Sequence, residues 1–165
     1  MESEMTSSTT AATVLENSNI TTVRSLYKAI SNVNDGNRDI SGLIATDLEW
    51  WFHGPQNCHH MMKMLTGKSD YFKFEPRSVD AIDDDCVIVE GWEGAQVYWV
   101  HVWTLKDGVI TQFREYFNTW LTVRDLRPIK IKCLSMSSSP STTTLWQSHP
   151  RDLAKRSLPA LMLAI

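Results

Sequence analysis

YWVHVWTLKDGVITQFREYFN, residues 98–118, predicts a single β-hairpin. Two runs of β-branched and aromatic residues flank the tripeptide Lys106-Asp107-Gly108. An Asp-Gly pair between such runs is a strong hairpin signal. Pairing across this turn predicts three cross-strand neighbours: Leu105 with Thr111, Trp103 with Phe113, and His101 with Glu115.

Both faces of this hairpin are largely apolar. Because strand side chains alternate, one face carries Trp99, His101, Trp103, Phe113, Glu115 and Phe117, and the other carries Val100, Val102, Ile110 and Tyr116. Each large apolar side chain left in water forfeits about 1.5–3 kcal/mol. We therefore expect helices to cover the first face and a second copy of the chain, in a homodimer, to cover the second.

Aromatic residues on the first face predict a small apolar pocket. The segment LEWWFHGP, residues 48–55, reads as a further strand that ends in a turn. The expected pocket residues are Trp50, Phe52, Trp99, Trp103, Phe113 and Phe117. Strand-face aromatics also commonly fill a core, so this pocket is either a ligand site or a packed interior.

His101 and Glu115 form the one acid/base pair that the hairpin suggests. A carboxylate beside an imidazole fixes its tautomer and raises its basicity, as a catalytic pair requires. The alternative is a satisfied polar contact inside the core, because structural pairs also perturb pKa values.

Helices precede the strands along the chain. Residues Ile20, Val23, Leu26, Tyr27, Ile30 and Val33 recur at helical spacing. Shorter helices are predicted over 38–45 and 58–65, and strands over 71–82, 86–92, 95–105 and 109–123. This order predicts an α+β fold with helices packed on a curved antiparallel sheet.

Composition divides the chain into four segments. Residues 1–17 are rich in Ser, Thr and Glu and are expected to be disordered. The domain covers 18–125, and a flexible linker covers 126–144. The apolar tail, 145–165, is expected to dock back on the domain, either at an open end of the fold or on the outer sheet.

Overall composition favours a cytoplasmic protein small enough to enter the nucleus. The net charge of −3 gives no attraction to nucleic acid or to anionic membranes. Three Cys leave one unpaired in any disulfide scheme, and the longest apolar run is too short to span a bilayer. The group His53, Cys58, His59 and His60 lacks a second cluster at ligand spacing, so neither a metal nor a cofactor is predicted.

The helices, the WWFHGP turn and the HVWTLKDGVITQFREYFN hairpin together resemble the nuclear transport factor 2-like, SnoaL-like superfamily. That resemblance implies a cone-shaped barrel over about residues 18–123. The ending LWQS…KRSLPALMLAI is similar to the plant wound-induced protein 1 family, which implies induction by stress or wounding. His101 and Glu115 match the spacing of the His and acid in SnoaL-type cyclases, with Glu in place of Asp. Steroid-isomerase relatives carry their base beside the Pro that ends the first strand, and residues 50–54, directly before Pro55, include no carboxylate.

Three functions follow as expectations. The first is a stress-responsive protein that binds a small apolar molecule or acts without strong catalysis. The second is an isomerase or cyclase that uses His101 and Glu115, and the third is a protein-interaction module that acts through the sheet face.

Overall fold

The computed structural model describes residues 4–32, 39–94, 96–119, 121–124, 144–148 and 161–164. These residues form two helices, α1 (Glu4–Ser31) and α2 (His60–Leu65). They also form eight strands: β1 (Ile44–His53), β2 (Ser78–Ile82), β3 (Cys86–Glu93), β4 (Val97–Lys106), β5 (Val109–Phe117), β6 (Leu121–Arg124), β7 (Thr144–Gln147) and β8 (Leu161–Ala164). Among these residues, neither helix combines the length and hydropathy that crossing a bilayer requires.

Helix α1 presents one apolar stripe to the sheet. Val23, Leu26, Tyr27 and Ile30 are buried at the spacing that places them on a single helical face. The helix begins at Glu4, whereas disorder was predicted for residues 1–17. Val14 and Leu15 are exposed, so the early turns extend a helix whose packing lies further along the chain.

The main sheet has the strand order β1-β5-β4-β3-β2. Strands β2 to β5 form an antiparallel meander joined by short turns, as the sequence predicts. Strand β1 pairs with β5 in parallel, because α2 and the meander form the long crossover that parallel pairing needs. The α+β class is confirmed, and the sheet is mixed rather than wholly antiparallel.

Two predicted elements have different bounds in the structure. The helix predicted over 38–45 is absent from the part of this range that the structure describes. A turn lies there instead, and β1 begins at Ile44. The strand predicted over 71–82 is confined to Ser78–Ile82. Residues 70–76, here called the strap, have no regular structure and insert Phe72 and Phe74 into the core. Pro76 also lacks the N–H that a ladder requires.

The hairpin register is confirmed except next to its turn. His101 pairs with Glu115 and Trp103 with Phe113, but Leu105 pairs with Ile110. Thr111 is therefore an extra residue, a β-bulge that reverses the alternation of the side chains. The placement of Ile110 on the outer face was wrong, because Ile110 is packed in the inner cluster with Leu105.

The outer face of the main sheet is covered within one chain. Cys86, Ile88, Tyr98, Val100, Val102 and Tyr116 form a buried cluster with Trp146 of β7. The Trp146 Nε1–H also donates to Asp80 Oδ2 over 3.4 Å. Of the two docking surfaces left open for the tail, Trp146 occupies the outer sheet.

This packing changes the reason given for a dimer. Val100, Val102 and Tyr116 are buried without a second copy, so their exposure no longer requires one. Dimerisation stays a prediction.

Strand β8 of the tail pairs with β6 and β7. The predicted linker before Thr144 and residues 149–160 and 165 lie outside the described part.

Candidate functional site

The predicted apolar pocket is filled with protein side chains. Trp103 and Phe113 stack with ring centroids 4.1 Å apart, and the edge of Phe74 meets Trp99 at 5.0 Å. These rings and Phe117 are buried. Trp50 and Phe52 of β1 are half-buried and pack around His59. The sequence therefore identified inward-facing residues, and they form a packed aromatic core.

A chain of hydrogen bonds crosses this core. Trp103 Nε1–H donates to Tyr27 Oη over 3.0 Å, and Tyr27 Oη lies 2.6 Å from His101 Nδ1. On the other side of the ring, His101 Nε2 lies 2.7 Å from Glu115 Oε2. The predicted pair exists, and the sequence missed its third member, Tyr27. A Tyr inside an apolar helical stripe was the available signal, since a buried O–H needs a partner.

Burial controls the charge of this pair. Both His101 and Glu115 are 0% exposed. Burial raises the pKa of Glu115 well above its ordinary value and lowers the pKa of His101 well below its own. Burial also raises the pKa of Tyr27, despite the opposing hydrogen bond from Trp103. Both shifts have the same cause, since burial disfavours the charged form of each group.

Replacing Glu115 with Gln should make the stability difference from wild type depend on pH. Because the pKa of Glu115 is raised in the folded protein, its protonated form stabilises the fold at low pH. This stabilisation is lost as the pH rises above 4.5, the ordinary pKa of the side chain. The slope is about 1.4 kcal/mol per pH unit, and Gln does not titrate. The Glu115→Gln variant should thus gain stability on wild type as the pH rises from 5, until the pH passes the folded pKa of Glu115, as measured by urea unfolding. A pH-independent difference would show that Glu115 has an ordinary pKa in the folded protein.

A second polar group, His60 with Asp70, lies closer to the surface. His60 Nδ1 is 3.0 Å from each Asp70 carboxylate oxygen, and the Phe72 N–H donates to Asp70 Oδ1 over 2.8 Å. Lys63 Nζ is 3.6 Å from the same carboxylate. Burial alone would raise the pKa of Asp70, but the Phe72 and His60 hydrogen bonds and the Lys63 charge lower it. Asp70 is therefore ionised and orients the imidazole.

His60 lines an open cleft of about 580 Å³, here called the His60 cleft. Its principal lining residues are Cys58, His60, Tyr71, Phe72, Phe117 and Asn118. This volume lies within the range of small-molecule sites, about 300–1,000 Å³. Tyr71 is 87% exposed at the rim, and Phe72 stacks on His60 with centroids 4.8 Å apart. Sequence reasoning placed His60 on the outside of a helix and missed this site.

Other ligating residues do not assemble near it. Within the described ranges, no group of three His, Cys, Asp or Glu side chains is placed to hold a metal ion. His53 stacks on Tyr116 of the outer face, and His59 packs between Trp50 and Phe52. Burial and the nearby Glu115 raise the pKa of the Cys58 thiol. That thiol also lines the His60 cleft.

The family model described as Wound-induced protein WI12 matches residues 62–165. The chain belongs to this family. The match includes Asp70, His101 and Glu115 and begins after α1, so Tyr27 lies outside it. Membership confirms the resemblance stated for the C-terminal ending.

Two curated relatives of this WI12-family protein are plant proteins. Wound-induced protein 1 of Solanum tuberosum is 38% identical over 109 residues, covering 63% of the chain and 100% of the relative. Senescence associated gene 20 of Arabidopsis thaliana is 37% identical over 111 residues, with the same coverage.

Two solved structures also resemble this WI12-family chain. A protein described as a SnoaL-like polyketide cyclase from Jannaschia sp. matches at 19% identity and a TM-score of 0.45, over 63% of this chain and 88% of that one. An NTF2-like protein of unknown function from Burkholderia pseudomallei matches at 19% identity and a TM-score of 0.45, over 61% and 90%.

Proposed function

We propose that this protein acts in the plant response to wounding or senescence and binds a small, largely apolar molecule in the His60 cleft. The names of its two relatives support the response. The observation that supports binding is an open cleft with three aromatic walls and an imidazole held by a buried carboxylate. In this proposal the protein works in the cytoplasm and its abundance rises after wounding. Immunoblots of wounded tissue test the rise in abundance.

The closed core argues for binding without strong catalysis. His101 is fully buried, and the rings of Trp99, Phe74 and Phe113 lie 4.4, 4.8 and 5.0 Å from its ring. A substrate has no approach to Nε2 or Nδ1 in this arrangement, since Glu115 and Tyr27 occupy both. A general base must come within hydrogen-bond reach of the proton it removes.

Replacing Tyr71 with Ala should weaken dye binding without unfolding the protein. Tyr71 is exposed at the rim, so its loss removes one wall of the cleft and little core packing. Loss of one aromatic contact, about 0.5–1.5 kcal/mol, predicts about threefold to tenfold weaker binding of N-phenyl-1-naphthylamine in a fluorescence titration.

Trp51→Ala is the matched control, because Trp51 is 50% exposed on the opposite face of the sheet. It should leave dye affinity unchanged. The dye should also protect Cys58 from alkylation, as measured by peptide mapping. Equal weakening in the two variants, or no protection of Cys58, would exclude the cleft as the binding site.

An isomerase or cyclase that uses His101 and Glu115 is the second candidate. The direct 2.7 Å bond between the two side chains on adjacent strands favours it. Catalysis there requires the strap to move Phe74 off His101. Turnover of any substrate that is abolished by Phe74→Trp, which enlarges the covering side chain, would support this candidate over simple binding.

A further inference from the structure

The hydrogen bonds of Asp70 fix the tautomer of His60. An ionised carboxylate can only accept, and both Asp70 oxygens face Nδ1 at 3.0 Å. Nδ1 therefore carries a proton and donates it to Asp70. In the neutral imidazole this leaves the lone pair on Nε2.

Nε2 is the ring nitrogen left for a ligand. Among the described residues no protein group bonds to it, although His60 is only 5% exposed. Phe72 stacks parallel to the imidazole, and Phe117 and Tyr71 approach it at 5.7 and 5.6 Å. An acceptor nitrogen framed by aromatic rings is complementary to a planar ring that carries a hydrogen-bond donor.

The His60–Asp70 pair does not activate Cys58. The thiol makes no hydrogen bond to His60 within the described part of the chain, and its pKa is raised rather than lowered. A nucleophilic thiol requires the opposite environment. The charged groups around the cleft are balanced, since Lys63 contacts Asp70 while Lys73 and Glu93 both line the walls. Hydrogen bonding to Nε2 is therefore the specific chemistry that this site offers.

We propose that the His60 cleft binds a phenol-like ligand, an aromatic ring whose hydroxyl donates its hydrogen to His60 Nε2. This inference rests on the proposed function and names the ligand class. Asp70 is a positioning residue, because it acts on the ligand only through the imidazole. Neutral ligands suit the site, since the balanced charges give no net attraction to an anion.

The test compares 2-naphthol with 2-methoxynaphthalene, which has the same ring system and no hydroxyl donor. Wild-type protein should bind 2-naphthol about tenfold more tightly, the effect of one partly buried hydrogen bond. 2-Naphthol also becomes a strong acid when excited. Bound next to an acceptor nitrogen, it should therefore show more naphtholate emission than 2-naphthol free in water, and this excess reports proton transfer to Nε2.

Asp70→Asn should abolish the preference by reversing the tautomer. The new amide oxygen would accept the Phe72 N–H, as Asp70 Oδ1 does over 2.8 Å. Its NH₂ group would then donate to Nδ1. Because Nδ1 must accept this hydrogen bond, the ring proton would lie on Nε2. His60→Asn should act in the same way, because it keeps a donor for Asp70 and removes Nε2. Both variants should lose the excess naphtholate emission and bind the two probes with affinities that agree within about twofold.

Lys63→Gln is the control, since it removes a charge 3.6 Å from Asp70 Oδ2, leaves the His60–Asp70 hydrogen bonds in place and should keep the preference. Equal affinities for the two probes in wild type, or a preference that survives Asp70→Asn, would overturn the phenol assignment and leave the cleft as an apolar site. Failure of both probes to bind wild-type protein would overturn the proposed function as well.

Discussion

Replacing His101 with Ala should lower the free energy of unfolding by about 3–5 kcal/mol, because it orphans two buried polar groups at about 1–3 kcal/mol each and leaves a void. The change leaves Glu115 Oε2 and the Tyr27 hydroxyl without their partner inside the core. Among the described residues Glu115 Oε1 has no hydrogen-bond partner, so the carboxyl group would lose the one hydrogen bond that the structure gives it. It also opens a void among rings that now touch the imidazole. Urea unfolding at constant pH measures the loss.

His53→Ala is the matched control for this prediction. His53 is exposed and stacks on Tyr116 from outside the sheet, so its removal should cost less than about 1 kcal/mol. If His101→Ala unfolds at the wild-type midpoint, the pair is not structural. The catalytic alternative then becomes the better explanation of its presence.

Replacing Phe74 with Ala should cost a similar amount, about 3–5 kcal/mol. Phe74 is 3% exposed and contacts Phe72, Trp99 and His101. Within the described part of the chain, no backbone hydrogen bond holds residues 73–76. Between Asp70 and Arg77 the strap is therefore held by the rings of Phe72 and Phe74, and Phe74 is the more deeply buried of the two. Tyr71→Ala on the same strap is the control and should change the unfolding midpoint little.

The Phe74→Ala variant should also gain a binding site. Loss of the phenyl ring leaves an apolar void beside His101, and such voids bind small aromatic molecules. Toluene should raise the melting temperature of the variant and not that of wild type. A variant that melts like wild type, or that ignores toluene, would show that the strap is anchored elsewhere or collapses into the void.

The hairpin was predictable because its interactions are local. An Asp-Gly turn sets the register of the strands it joins, and the register places His101 opposite Glu115. The bulge at Thr111 was not predictable, since alternation of residue types looks the same with or without one extra residue. That single residue explains why Ile110 was placed on the wrong face.

The contacts that complete each site connect distant parts of the chain. Tyr27 meets His101 across 74 residues, and Trp146 meets Asp80 across 66. No periodicity links such positions in a single sequence. The His60–Asp70 pair is nearer, yet the strap that positions Asp70 was predicted as a strand. The aromatic composition of the strap favoured a strand. The core contacts of Phe72 and Phe74 hold it in an irregular conformation instead.

The bonds of Tyr27 also set an order of events during synthesis. Its two partners, His101 and Trp103, follow it by 74 and 76 residues. At roughly 5–20 residues per second, the ribosome delivers them about 4–15 s after Tyr27. During that interval the apolar stripe of α1 has no sheet to cover it. The stripe is then available to a chaperone or a neighbouring nascent chain, and the hairpin ends that exposure when it emerges.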